Sequence, residues 1–171
     1  MATVSLSLDE IYKLANKTLL ANGCDQETTD ILSELITNAE MDGSLSHGLF
    51  RLPAYVSGLK SGKINGKQKP DIKKLTPSVI KADGKNCLAP VVLNKSIPEL
   101  VKAAKENGVA VLAIINSHHM AAMWPETEKI AEEGLVAFAC TSYKPAVAPA
   151  GAIKPLFGTC LLYTSPSPRD S

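Results

Sequence analysis

Apolar residues recur with the period of a helix along the first third of the chain, and in short uninterrupted runs further on. Ser7-Leu-Asp-Glu10 has the form of a capping box, and Leu8, Ile11, Leu14, Ala15 and Leu19 follow it at helical spacing. That helix should stop near Asn22-Gly23. Asp25 is the next N-cap, and Ile31, Leu32, Leu35, Ile36 and Ala39 form the stripe of a second helix, closed by Gly43. A third helix is expected to open at Ser46 and to end around Gly58 to Gly62, with Pro53 bending or breaking its interior. From Lys63 to Asp83 the text turns basic, and Pro70 and Pro77 punctuate a connection with short strands expected at 71–75 and 78–81. Positions 86–107 predict a helix with Pro98 at a break or a new first turn. Val109-Ala-Val-Leu-Ala-Ile-Ile115 predicts a buried strand that ends in Asn116-Ser-His-His119. A helix over 125–133, stopped by Gly134, leads to a second buried strand at 135–140, which ends in Thr141-Ser-Tyr-Lys144. Strand, helix and strand in that order, with polar clusters at both strand ends, would place a ligand site at the carboxyl ends of a sheet.

Composition narrows the class. The chain has 171 residues, 45% of them hydrophobic and 20% charged, enough for one domain of ordinary size with a core. A net charge of +1 points to neither a nucleic-acid nor an anionic-membrane surface. No signal peptide is visible at the N-terminus, and no apolar run is long enough to span a bilayer, so a cytoplasmic protein is expected. Cys24, Cys87, Cys140 and Cys160 include no Cys-x-x-Cys pair, which argues against a zinc site or a disulfide framework. The run Cys160-Leu-Leu-Tyr-Thr-Ser-Pro-Ser-Pro-Arg-Asp170 breaks from the preceding text and resembles a translated transposase-type sequencing adaptor. The alternative is a natural Ser/Pro-rich tail, and on either reading it is set aside from the fold.

Candidate chemistry centres on Ser46-His47-Gly48-Leu49-Phe50-Arg51 with Tyr55. In a helix starting at Ser46, His47, Arg51 and Tyr55 would share a face offering a proton-transfer group, a carboxylate fork and a phenol. Such a face suits a small hydroxy- or oxo-acid. The plain alternative is a solvated helix start with Ser46 as N-cap, and on these residues alone it stands ahead. His118-His119 follows a strand, where neighbours point to opposite faces, so at most one can share a pocket with His47. As metal ligands the histidines lack a supporting pattern; as an acid/base they suit a strand-end loop, and equally they could satisfy loop backbone groups. Thr141-Ser142-Tyr143-Lys144 could hold a cofactor or phosphate, yet the chain carries neither a dinucleotide-binding nor a P-loop glycine motif.

Together these residues carry a resemblance. Ser46-His47-Gly48 with Arg51 and Tyr55, Asn116-Ser-His-His119, Val147-Ala-Pro-Ala-Gly151 and Leu156-Phe-Gly-Thr159 are similar to the malate/L-lactate dehydrogenase type 2 family. That family includes ureidoglycolate, sulfolactate, diketogulonate and piperideine-2-carboxylate dehydrogenases or reductases. The resemblance covers nearly all of 1–159, and family members continue with Asn-Pro where the adaptor-like text begins. It implies hydride transfer between NAD or NADP and C2 of a 2-hydroxy, 2-oxo or 2-imino acid, in a homodimer. The implied fold is α/β of the α+β type: N-terminal helices plus a mixed, mostly antiparallel, non-Rossmann sheet with flanking helices, truncated. A helical substrate-side region would occupy 1–75 and a partial cofactor domain 76–159, with 160–171 a non-native tail.

By the same resemblance His47 and His119 are the two proton-handling candidates, family members differing over which is the acid/base. The assignment preferred here is His119 as the base with His47 and Ser46 orienting the substrate, while Arg51 clamps its carboxylate and Tyr55 contacts it. Ser142, Tyr143 and Lys144 fall at the cofactor. The family's Thr-Asn-Ser-Ser/Asp-Pro is Thr141-Ser-Tyr-Lys-Pro145 here, and its aromatic-Gly after the histidine is Met120-Ala121. Lys144 points to an acidic substrate. Two other classes compete: a non-catalytic helix-rich ligand-binding or oligomerisation module, and a metal-dependent hydrolase using the histidines. The 171-residue chain alone is expected to be inactive, with uncovered apolar faces that favour aggregation.

Overall fold

The computed structural model describes residues 4–118, 122–158 and 161–165, the last five as backbone only. Capping sets where the first helices begin. In α1 (Leu8–Ala21) Ser7 Oγ accepts from Glu10 N at 3.3 Å, and Glu10 Oε2 accepts from Ser7 N at 2.8 Å. In α2 (Gln26–Met41) the Asp25 carboxylate accepts from Thr28 N at 2.9 Å. Gly23 and Gly43, at φ 101° and 71°, take the left-handed turns that follow each helix. The apolar stripes close on each other, so that Ala15, Leu19, Leu32 and Ile36 have no exposed surface. At the start of α2, Lys69 pairs with Asp25 at 2.9 Å and with Glu27 at 2.5 Å.

The third helix starts later than the sequence predicts. Leu49–Arg51 is a 3₁₀ turn that runs into α3 (Leu52–Lys60), and the residues from Ser46 to Gly48 form a turn rather than a helix. Pro53 lies in the first turn of α3, where its missing N–H leaves no bond unmade, so it starts the helix instead of breaking it. His47 and Arg51 therefore do not share a helical face.

β1 (Asp71–Thr76) and β2 (Val79–Asp83) form an antiparallel pair, with Asp71 opposite Asp83. The following helix, α4 (Ala89–Asn107), begins three residues after the predicted start, because Lys85 and Asn86 take φ values of 46° and 67° that no helix can continue. It then runs through Pro98, which removes one N–H from the ladder without ending it. β3 (Val111–Ile115) lies parallel to β2, giving the order β1-β2-β3. Contrary to the sequence reading, β3 is not buried on both faces. Leu112 and Ile114 pack on the core, whereas Val111 and Ile115 are exposed, because no described strand or helix covers their side. A continuous apolar run cannot tell a central strand from an edge strand.

The chain divides into two compact units, Met1–Ala122 and Met123–Ser171; the expected division at 75/76 falls at the end of β1, inside the first. The second unit holds α5 (Trp124–Glu132), β4 (Ala137–Thr141), β5 (Pro145–Val147), β6 (Phe157–Gly158) and β7 (Leu161–Ser165). β4 pairs antiparallel with β7, β5 with β6, and α5 packs across β4 and β7. β4 is no more a buried strand than β3, since Phe138 is 65% exposed. Nor do β3 and β4 share a sheet, so the predicted strand–helix–strand unit is replaced by β2-α4-β3, the described parallel pair. Within the segment set aside, residues 161–165 form the partner strand of β4. The class is α+β with mostly antiparallel pairing, as expected. No described helix is long and apolar enough to cross a membrane.

Candidate functional site

The turn after α2 is tied down by backbone and side chains together. Ser44 N donates to Ala39 O and His47 N to Ser44 O, both at 2.8 Å. Glu40, in the last turn of α2, reaches across with Oε1 to accept from Leu49 N at 2.7 Å. Its carboxylate fills the space above Gly48: a Cβ there would collide with Glu40 Oε1. At the glycine of the Ser-His-Gly run, whose φ is −85°, Glu40 thus occupies the space that a side chain would need.

Two hydroxyls meet the imidazole. Ser44 Oγ lies 3.1 Å and Ser46 Oγ 3.0 Å from His47 Nδ1. Burial, followed by the positive charge of Arg51, holds the His47 pKa below the ordinary imidazole value. At neutral pH the ring is uncharged, a donor at one nitrogen and an acceptor at the other. Arg51 is half-buried; its Nε is buried with no partner, and it makes no ion pair among the described residues. A guanidinium can bind a planar anion such as a carboxylate bidentately.

The remaining predicted site residues are placed as follows. Tyr55, on α3 one turn beyond Arg51, is 1% exposed and belongs to the apolar cluster with Leu19, Leu32 and Leu52. His118 is held by its backbone against the start of α4: its N donates to Cys87 O and its O accepts from Ala89 N, each at 2.9 Å. His119 lies outside the described residues. Ser142, Tyr143 and Lys144 are exposed in the connection between β4 and β5 of the second unit. The structure therefore brings Ser46 and His47 together, with the charge of Arg51 acting on the ring. No group of His, Cys, Asp and Glu among the described residues could hold a metal ion.

Three residues escaped the sequence reading. Ser44 and Glu40 had a legible signal, hydroxyls one and three positions before His47 and a carboxylate eight before Gly48. Glu126, in the first turn of α5, had none: its carboxyl is pushed up to about 7 by burial, and its Oε2 has no partner.

Residues 6–165 match the malate/L-lactate dehydrogenase family, and the chain belongs to that family. Over 156 residues it is 41% identical to the Δ1-pyrroline-2-carboxylate reductase of Ancylobacter novellus, covering 91% of this chain and 46% of that protein. The solved Δ1-piperideine-2-carboxylate reductase of Pseudomonas syringae pv. tomato superposes with a TM-score of 0.87 at 38% identity, over 95% of this chain and 49% of the other. The malate dehydrogenase of Pyrococcus horikoshii gives a TM-score of 0.86 at 29% identity, over 94% and 46% of the two chains. The chain thus spans about half the length of the relatives it matches.

Proposed function

We propose that the full-length protein is an NAD- or NADP-dependent reductase of small 2-imino or 2-oxo acids, acting in reverse on the corresponding amino or hydroxy acids. The observation that carries this reading is the Arg51 guanidinium, half-buried with an unpartnered Nε beside a neutral imidazole. Arg51 binds the substrate carboxylate, and His47 with Ser46 orients the group on C2. His119 handles the proton at the heteroatom on C2, and Tyr55 anchors α3, the helix that follows Arg51 directly. Reductases of cyclic 2-imino acids among the relatives make that substrate class the first to test.

The donor set at Ser142, Tyr143 and Lys144, hydroxyls and an ammonium exposed on one connection, suits ribose hydroxyls and phosphate. These residues would hold the dinucleotide. When bound, it supplies the hydride that C2 receives, while the chain provides binding and electrostatics. The proposed form is a cytoplasmic homodimer, supported by the family resemblance and by free thiols at Cys24, Cys87 and Cys140.

The test is the full-length reading frame, assayed with NADH and NADPH against cyclic imino acids and 2-oxo acids. Turnover on at least one is expected, and none on any with His119 intact overturns the reading. In that protein Arg51→Lys should weaken carboxylate binding by about 2–4 kcal/mol, roughly a 30- to 800-fold rise in KM. Unchanged KM and kcat would remove Arg51 from the site.

A further inference from the structure

We propose that Ser44 is a positioning residue for His47: its hydroxyl donates to ring Nδ1 and keeps the neutral imidazole in the tautomer that carries its proton on Nε2. Both serine hydroxyls lie within hydrogen-bond distance of the same ring nitrogen, Ser44 at 3.1 Å and Ser46 at 3.0 Å. Neither hydroxyl has another partner among the described residues. If Nδ1 carried the proton, the two oxygens would compete to accept it, and neither hydroxyl proton would have an acceptor among the described residues. With the lone pair on Nδ1, a hydroxyl proton finds its acceptor and the ring proton moves to Nε2.

Ser44 and Ser46 are not equivalent in this role. Ser46 is exposed, so water competes for its proton. Ser44 is half-buried, and its backbone is held at both ends of the turn, through Ala39 O and the His47 N–H. Glu40 fixes the same turn from α2 through Leu49 N. Ser44 is therefore the persistent donor and Ser46 the exchangeable one, although Ser46 belongs to the Ser-His-Gly motif. For the function proposed above, on which this consequence rests, His47 presents an N–H to the substrate and orients it. Proton transfer then belongs to another group.

The test uses the full-length protein labelled with ¹⁵N-histidine, in which His47→Gln identifies the imidazole concerned. Long-range ¹H–¹⁵N spectra of the neutral ring should show Nδ1 at the lone-pair position and Nε2 at the N–H position. Ser44→Ala should move both signals toward the values of a ring exchanging freely between tautomers. Ser44→Thr should restore them, and Ser46→Ala should move them less. A protonated Nδ1 in the unsubstituted chain overturns the proposal, with no variant needed. So does a Ser44→Ala spectrum identical to the parent, or a larger shift in Ser46→Ala. A full-length protein that turns over no acid yet shows proton-bearing Nε2 refutes the proposed function and leaves the role of Ser44 standing.

Discussion

The two units have similar proportions of apolar residues and reach different degrees of closure. In the first, Leu19, Leu32, Ile36, Val91 and Val92 are fully covered, because amphipathic helices present their stripes to one another and to the inner face of a three-stranded sheet. In the second, α5 is the one described helix and it packs on the β4–β7 pair, and Val136, Phe138, Ile153 and Phe157 stay exposed. Apolar content does not make a core; a second layer does. Each unit nevertheless holds one ionisable group whose buried atom has no partner: the Arg51 Nε in the first and the Glu126 Oε2 in the second. For Arg51 the proposed occupant is the substrate carboxylate, whereas for Glu126 burial favours the protonated, uncharged form.

The largest expected effect sharpens that contrast at Glu126, whose carboxyl is raised to about 7 from 4.5. In the folded state it holds its proton longer than in the unfolded chain, so the second unit loses stability as pH rises from about 4.5 to 7. The total is about 3 kcal/mol. Glu126→Gln should recover that amount at pH 8 and leave pH 4 unchanged, read by hydrogen exchange of α5 and β4 amides. Equal protection at pH 8 in the two proteins would show that the carboxyl is solvated.

In the first unit, Gly48→Ala should displace the Glu40 carboxylate and leave the Leu49 N–H without its acceptor, costing about 1–3 kcal/mol in thermal unfolding. An unshifted melt would mean that Glu40 can move aside freely. Ser7→Ala removes the capping box of α1 and should cost about 1 kcal/mol by the same measurement, with no change in the second unit. The smallest effect is the pH response of His47, opposite in sign to that of Glu126. Its depressed pKa means that the unfolded chain binds the proton first, so stability of the first unit declines as pH falls below about 6.5. His47→Gln should flatten that decline in an amide-exchange titration, and an unaltered slope would assign it to other groups.

Much of the first unit was legible because its signals are local. A Ser-x-x-Glu box, an Asp N-cap and stripes at three- and four-residue spacing act within one or two turns of backbone, and α1 and α2 begin where those signals place them. The motif Ser46-His47-Gly48 with Arg51 was legible as a set of residue types and as a family resemblance. Its geometry was not. Whether Pro53 starts a helix or breaks it depends on where the chain leaves α2, and that exit is held by Glu40 and Ser44 from outside the motif. Whether Val109 to Ile115 is a central or an edge strand depends on which segments cover it, which its own residues do not state.

By itself the sequence determined the caps, the amphipathic faces, the kinds of chemical group at the site and the family, since each is encoded in residue types and short spacings. Tertiary structure alone decided that β3 parallels β2 rather than meeting β4, that Tyr55 sinks into the core, and that Arg51 and Glu126 are left with buried atoms unpartnered. Burial and pairing are relations between distant segments, and their energies arise only once those segments meet.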